Sequence, residues 1–180
     1  MTGEHEVLEL KGISKSFGGL QVLQSVDLAV GREQIVGLIG PNGAGKSTLF
    51  NVITSIYQPD SGRISLLGRD ITGLPSHRIC HLGISRTFQL IRSFMSMTAL
   101  QNVMVSATYG HEHRTKGARK RALDALELVE LTNKRDVEAA HLTLSDRRLL
   151  EVAMALASMP VVTLFDEPMA GLNPAETQKI

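Results

Sequence analysis

Two short stretches carry residue types that could do chemistry. In the first, Gly40-Pro41-Asn42-Gly43-Ala44-Gly45-Lys46-Ser47-Thr48, three glycines precede a lysine and two hydroxyls. Glycines at 40, 43 and 45 let the backbone bend so that successive N–H groups converge on a concave anion site, and a helix starting there adds its positive dipole end. The spacing predicts a polyphosphate in the loop. Lys46 would reach its β- and γ-phosphates, Ser47 would offer a hydroxyl to Mg²⁺, and Thr48 would contact the α-phosphate. A turn that merely joined a strand to a helix would have little reason to end in Lys-Ser.

The second stretch is Val161-Val162-Thr163-Leu164-Phe165 running into Asp166-Glu167-Pro168. Bounded by Pro160 and Asp166, the apolar run reads as a buried parallel strand that delivers two carboxylates at its C-terminal end, where ligands bind in open α/β sheets. Asp166 is the candidate to support Mg²⁺ on the phosphates, and Glu167 the candidate to polarise an attacking water. Together the two stretches point to nucleotide hydrolysis.

The elements that must position them follow from pattern. The run Ile35-Val36-Gly37-Leu38-Ile39 predicts a strand into the loop, and Leu49-Phe50-Asn51-Val52-Ile53 a helix out of it. Residues 7–17 alternate as a strand ending at Gly18-Gly19, and 22–30 continue as a second. Phe17, just before that turn, is either a core aromatic or a face for an adenine ring. Residues 57–62 are dense in turn formers, and 63–68 alternate like a strand. Residues 84–89 read as another strand, closing on the polar amide of Gln89.

Residues 97–134 turn helical, with Met97, Leu100, Val103 and Met104 on one face and Leu123, Leu126 and Val129 in a second helix. His111 and His113 lie in the charged link between them, and a solvated loop explains them better than a metal site. Met95, Met97 and Met104 read as core or partner-facing fillers. Ser145 is the expected N-cap of a helix over 146–158, with Leu149, Val152, Ala153 and Leu156 inward and Asp146 in its first turn.

Composition excludes several classes. The formal net charge is +1, so no global field argues for nucleic acid and any anion site must be local. Cys80 is the single cysteine, which excludes an intrachain disulfide and a cysteine zinc cluster. The polar, acidic start lacks a secretion-signal pattern, and no apolar run reaches the roughly 18 residues a bilayer span needs. With 43% hydrophobic residues the chain can bury one sizeable core. No internal repeat is visible.

In this order, Gly40 to Thr48, Phe88-Gln89, Leu164-Phe165-Asp166-Glu167-Pro168 and Ala170-Gly171-Leu172-Asn173-Pro174 resemble the ATP-binding cassette ATPases. Within them, Gly83-Ile84-Ser85-Arg86-Thr87-Phe88-Gln89 and the Ala170 to Pro174 segment are most similar to subunits of branched-chain amino-acid importers. The resemblance implies an α/β fold: a P-loop NTPase core with a parallel sheet, an N-terminal antiparallel β subdomain and a helical insert. It divides the chain into a core of residues 1–88 and 159–180 and a helical subdomain of about 89–158. ATP and Mg²⁺ are the implied cofactors.

By position, the resemblance places Phe17 against adenine, gives Mg²⁺ to Ser47, Gln89 and Asp166, and makes Glu167 the catalytic base. It implies two partners, transmembrane permease subunits and a second cassette subunit that Ala170 to Asn173 contact, and a cytoplasmic location on the inner face of the cell membrane. Two features depart from the family. Its signature falls on Leu142-Thr143-Leu144-Ser145-Asp146, with Ser145 where a glycine is usual, and its switch histidine lies beyond Ile180, so a C-terminally truncated cassette is expected. A nucleotide-binding module without catalysis is the alternative that these departures keep open.

Overall fold

Alternating apolar residues fold the N-terminal segment into β1 (Glu6–Phe17), which turns at Gly18-Gly19 into β2 (Leu20–Gly31). The strands pair antiparallel from Phe17 opposite Leu20 to Glu6 opposite Gly31. Leu8, Leu10 and Ile13 are buried, and a register shift between Leu10 and Ile13 keeps the odd-numbered Ile13 on the buried side. β3 (Ser61–Leu66) adds to the free edge of β1 and β4 (Arg69–Asp70) to β3, giving the order β2-β1-β3-β4. A computed structural model describes residues 6–87, 93–111 and 115–167 in this way. The chain divides into two units, Met1–Leu82 and Gly83–Ile180.

The first unit also holds α1 (Lys46–Ile53), which buries Leu49, Val52 and Ile53, and α2 (Ser76–His81), which buries Ile79. The strand expected over residues 35–39 is not formed. Ile35 and Ile39 are 99% and 96% exposed, and no strand of this unit pairs with the segment among the described residues. Apolar character favours burial, but a strand exists only where a neighbour satisfies its backbone groups, and every strand of this unit pairs within the antiparallel sheet.

The second unit packs α3 (Ala99–Tyr109), α4 (Ala118–Leu128) and α5 (Leu144–Ala157) around Leu100, Val103, Leu126, Leu150 and Ala153. Leu150 is fully buried, whereas Val152 is only partly so; the inner face of α5 is rotated from the expected one. Beside the helices, β5 (Ile84–Arg86) and β6 (Val162–Leu164) pair parallel, Ile84 opposite Val162 and Arg86 opposite Leu164. β6 is shorter than its apolar run, which spans residues 161–165. The parallel pair in one unit and the antiparallel sheet in the other make the protein α/β.

Candidate functional site

The phosphate loop lies in the first unit. Residues 40–44 are exposed, the chain turns left-handed at Gly43 (φ +83°) and Gly45 (φ +88°), and Gly45 caps the start of α1. A Cβ at Gly45 would come within 3.0 Å of Leu23 Cδ2 and 3.1 Å of the Val22 carbonyl, so only glycine brings the helix start this close to β2. At Gly43 nothing lies within 4 Å of such a Cβ; the loop is open there. Lys46 Nζ donates to the carbonyls of Gly40 (2.6 Å) and Pro41 (2.9 Å), so the ammonium spans the loop. Ser47 is exposed in the first turn of α1 and Thr48 half-buried.

An open, glycine-lined bend ending at a helix N-terminus with a lysine ammonium across it fits a polyphosphate. The exposed hydroxyl of Ser47, in the first turn of α1, is an oxygen donor of the kind a hard cation such as Mg²⁺ takes.

Phe17 and Tyr57 form a second feature of this unit. Their rings meet edge to face with centroids 5.1 Å apart, and Lys15 Nζ sits 5.5 Å from the Phe17 centroid. Phe17 is 40% and Tyr57 39% exposed, so the pair is a surface aromatic face and not core. Lys15 is fixed in turn by Asp60, whose carboxylate accepts from Lys15 Nζ and from the Ser16 N–H, both at 2.6 Å. The Lys15 hydrogen bond, then that of Ser16, holds the Asp60 carboxyl below its ordinary value. Tyr57 escaped the sequence reading because nothing local ties it to Phe17, 40 positions earlier.

The carboxylates belong to the second unit. Asp166 is buried at the end of β6; its N–H donates to Thr87 Oγ1 at 3.2 Å and its Oδ2 accepts from Arg86 Nη2 at 2.7 Å. Glu167 follows, exposed and left-handed at φ +49°. Gln89, His113 and the segment from Pro168, with the Ala170 to Asn173 contact, lie outside the described residues. His111 donates its backbone N–H to the Ser158 carbonyl at 2.9 Å, and no group of metal-ligating side chains occurs among the described residues.

The signature region differs from expectation in one respect. Thr143, and not Ser145, caps α5: its Oγ1 accepts from the Asp146 N–H at 3.1 Å, while the Asp146 carboxylate accepts from the Thr143 N–H. Ser145 is instead buried inside the first turn. The reciprocal pattern, hydroxyl then acid three residues on, was readable as Thr143-x-x-Asp146. Lys134 Nζ also donates to Asp146 Oδ2 at 2.7 Å, so the start of α5 carries a carboxylate of its own.

A glycine loop at a helix start in one unit, and in the other a buried aspartate at the end of a parallel strand, are features of a P-loop nucleotide-binding protein. The ABC transporter family model matches residues 23–170. The high-affinity branched-chain amino acid transport ATP-binding protein BraF of Pseudomonas aeruginosa is 39% identical, over 97% of this chain and 74% of that protein. The high-affinity branched-chain amino acid transport ATP-binding protein LivG of Escherichia coli (strain K12) is 37% identical over the same shares.

Among solved structures, a nucleotide-free ATP-binding cassette from an ABC transporter superposes with a TM-score of 0.85 at 32% identity, covering 97% of this chain and 74% of that one. A dimeric post-hydrolysis state of the cassette MJ0796, bound to ADP and Pi, gives 0.84 at 27% identity over 96% and 79%. The chain belongs to the ABC transporter family, as one of its ATP-binding cassettes.

Proposed function

We propose that the chain is the ATP-binding, ATP-hydrolysing subunit of an importer of branched-chain amino acids, working through transmembrane permease subunits. The observation that carries this is the 39% identity to BraF along 97% of the chain, with the loop of Gly40 to Thr48 intact. The division of labour follows the chemistry. The backbone of residues 40–48 and Lys46 bind the phosphates, Phe17 stacks on adenine, and Ser47, Gln89 and Asp166 hold Mg²⁺. Bound Mg²⁺ neutralises charge on the phosphates. Glu167 accepts a proton from the attacking water, and the γ-phosphoryl group leaves ADP as inorganic phosphate.

Residues 1–88 and 159–180 form the nucleotide-binding core in this proposal, and about 89–158 the helical subdomain that docks on the permease. Assembly is with a second cassette, of the same or a sister chain, as in the MJ0796 dimer. No helix among the described residues is long and apolar enough to cross a membrane, which suits a subunit held at the inner face of the cell membrane by its partners. The composition gives no support for a nucleic-acid partner.

Equilibrium binding of a fluorescent ATP analogue with Mg²⁺ tests the first half; the chain has no Trp, so the signal comes from the probe. Lys46→Ala removes a charged donor and should weaken binding about 10- to 100-fold. Phosphate release by the parent and by Glu167→Gln tests the second half. A folded parent that fails to bind the analogue, or release unchanged by Glu167→Gln, overturns the respective half.

A further inference from the structure

We propose that Arg86 is a positioning residue for Asp166, fixing the carboxylate proposed to support Mg²⁺ to the neighbouring strand β5. The inference rests on the role of Asp166 given above. Arg86 and Asp166 are 80 positions apart, yet Arg86 Nη2 meets Asp166 Oδ2 at 2.7 Å with the two side chains only 6% and 7% exposed. Taking two charges out of water costs several kcal/mol per ion, and a well-packed apolar pair of the same volume is often as stable or more so. Stability alone is therefore a poor reason for this pair.

The geometry supplies a better one. Arg86 lies opposite Leu164 in the parallel register, two residues before the aspartate. The next residue, Thr87, donates its N–H to the Leu164 carbonyl at 3.0 Å and accepts the Asp166 N–H on its hydroxyl. Consecutive residues of one segment thus hold both the backbone and the carboxylate of Asp166. A guanidinium suits that task, being planar, always charged and more weakly hydrated than an ammonium.

The test is a Mg²⁺ titration of fluorescent ATP-analogue binding to the full chain and to its Arg86→Met and Arg86→Lys variants, with thermal unfolding of each. Partners that orient metal ligands typically contribute 10- to 100-fold in metal affinity, so Arg86→Met should raise the half-saturating Mg²⁺ concentration about tenfold. Arg86→Lys keeps the buried charge paired, should fold where Arg86→Met does not, and should raise it less, about threefold, because it replaces the planar fork by a point charge. A purely structural pair would lower Tm without moving this concentration. A Mg²⁺ dependence unmoved in the folded variants, or in Arg86→Lys alone if Arg86→Met does not fold, overturns the proposal. A parent chain whose binding shows no Mg²⁺ dependence overturns the proposed metal site itself, and with it this role for Arg86; the two failures are told apart by the parent curve.

Discussion

Thr143 and Asp146 cap one another at the start of α5. The Thr143 hydroxyl accepts the Asp146 N–H at 3.1 Å and donates to Asp146 Oδ2 at 2.7 Å, and the same oxygen accepts from the Thr143 N–H at 3.3 Å. Lys134 closes the group from the short 3₁₀ turn Thr132–Lys134. An acid, a cap and a cation therefore meet at the positive end of a 14-residue helix.

That group makes stability pH-dependent in a definite direction. Burial pushes the Asp146 carboxyl up, but hydrogen bonds from Lys134 and Thr143 and the Lys134 charge outweigh it and leave the carboxyl below its ordinary value. A depressed folded-state value means that the contribution is fully present above the ordinary carboxylate range and is lost as pH falls through the folded value. Asp146→Asn should lower stability at neutral pH by about 1 kcal/mol. Its thermal unfolding should also fall less steeply than the parent's as the medium is acidified below about pH 4. Parallel acid profiles for the two proteins would contradict this account.

Gly43 and Gly45 share a left-handed backbone but not their surroundings, so alanine should separate conformational cost from crowding. Gly43→Ala meets open space and should cost only the backbone term, about 1 kcal/mol. Gly45→Ala must also push aside Leu23 and face the Val22 carbonyl, and about 2–3 kcal/mol is expected. Denaturant midpoints of the two variants give the comparison; equal losses would show that the contact with β2 is soft.

Phe17 is exposed, so its truncation should cost little stability and act on binding. Loss of one base-stacking aromatic is worth about 1–3 kcal/mol, and Phe17→Ala should weaken an adenine nucleotide roughly tenfold. Inorganic tripolyphosphate, which has no base, should compete for the loop equally well in both proteins. Equal weakening of both ligands would remove Phe17 from the adenine site.

Asn102 is fully buried in α3 and ties down residues 94–98. Its Oδ1 accepts from the Phe94 N–H at 2.7 Å, and Nδ2 donates to the carbonyls of Phe94, Met97 and Thr98 at 3.0 to 3.2 Å. Asn102→Ala leaves several of these groups without the partner, each costing about 1–3 kcal/mol if it stays dry, so a loss of about 3 kcal/mol is expected. Chemical denaturation measures it. A loss under about 1 kcal/mol would show that water replaces the amide.

The sequence by itself determined what short-range spacing determines. The glycine bend, the helix that follows it and the β1–β2 hairpin each depend on residues a few positions apart, so the backbone that suits them is written locally. The Asp166-Glu167 ending was legible for the same reason: an apolar run and its terminus form one continuous pattern. The cap of α5 was not read correctly: Ser145 was expected, and the returning carboxylate of Asp146 instead makes Thr143 the cap. Tertiary structure alone decided which distant partners meet: Arg86 with Asp166, Tyr57 with Phe17, Lys134 with Asp146. Those pairings follow from strand register and helix packing, which no local spacing encodes. Residues 35–39 show the same limit from the other side, because hydrophobicity marks a segment for burial but only a hydrogen-bonded neighbour makes it a strand.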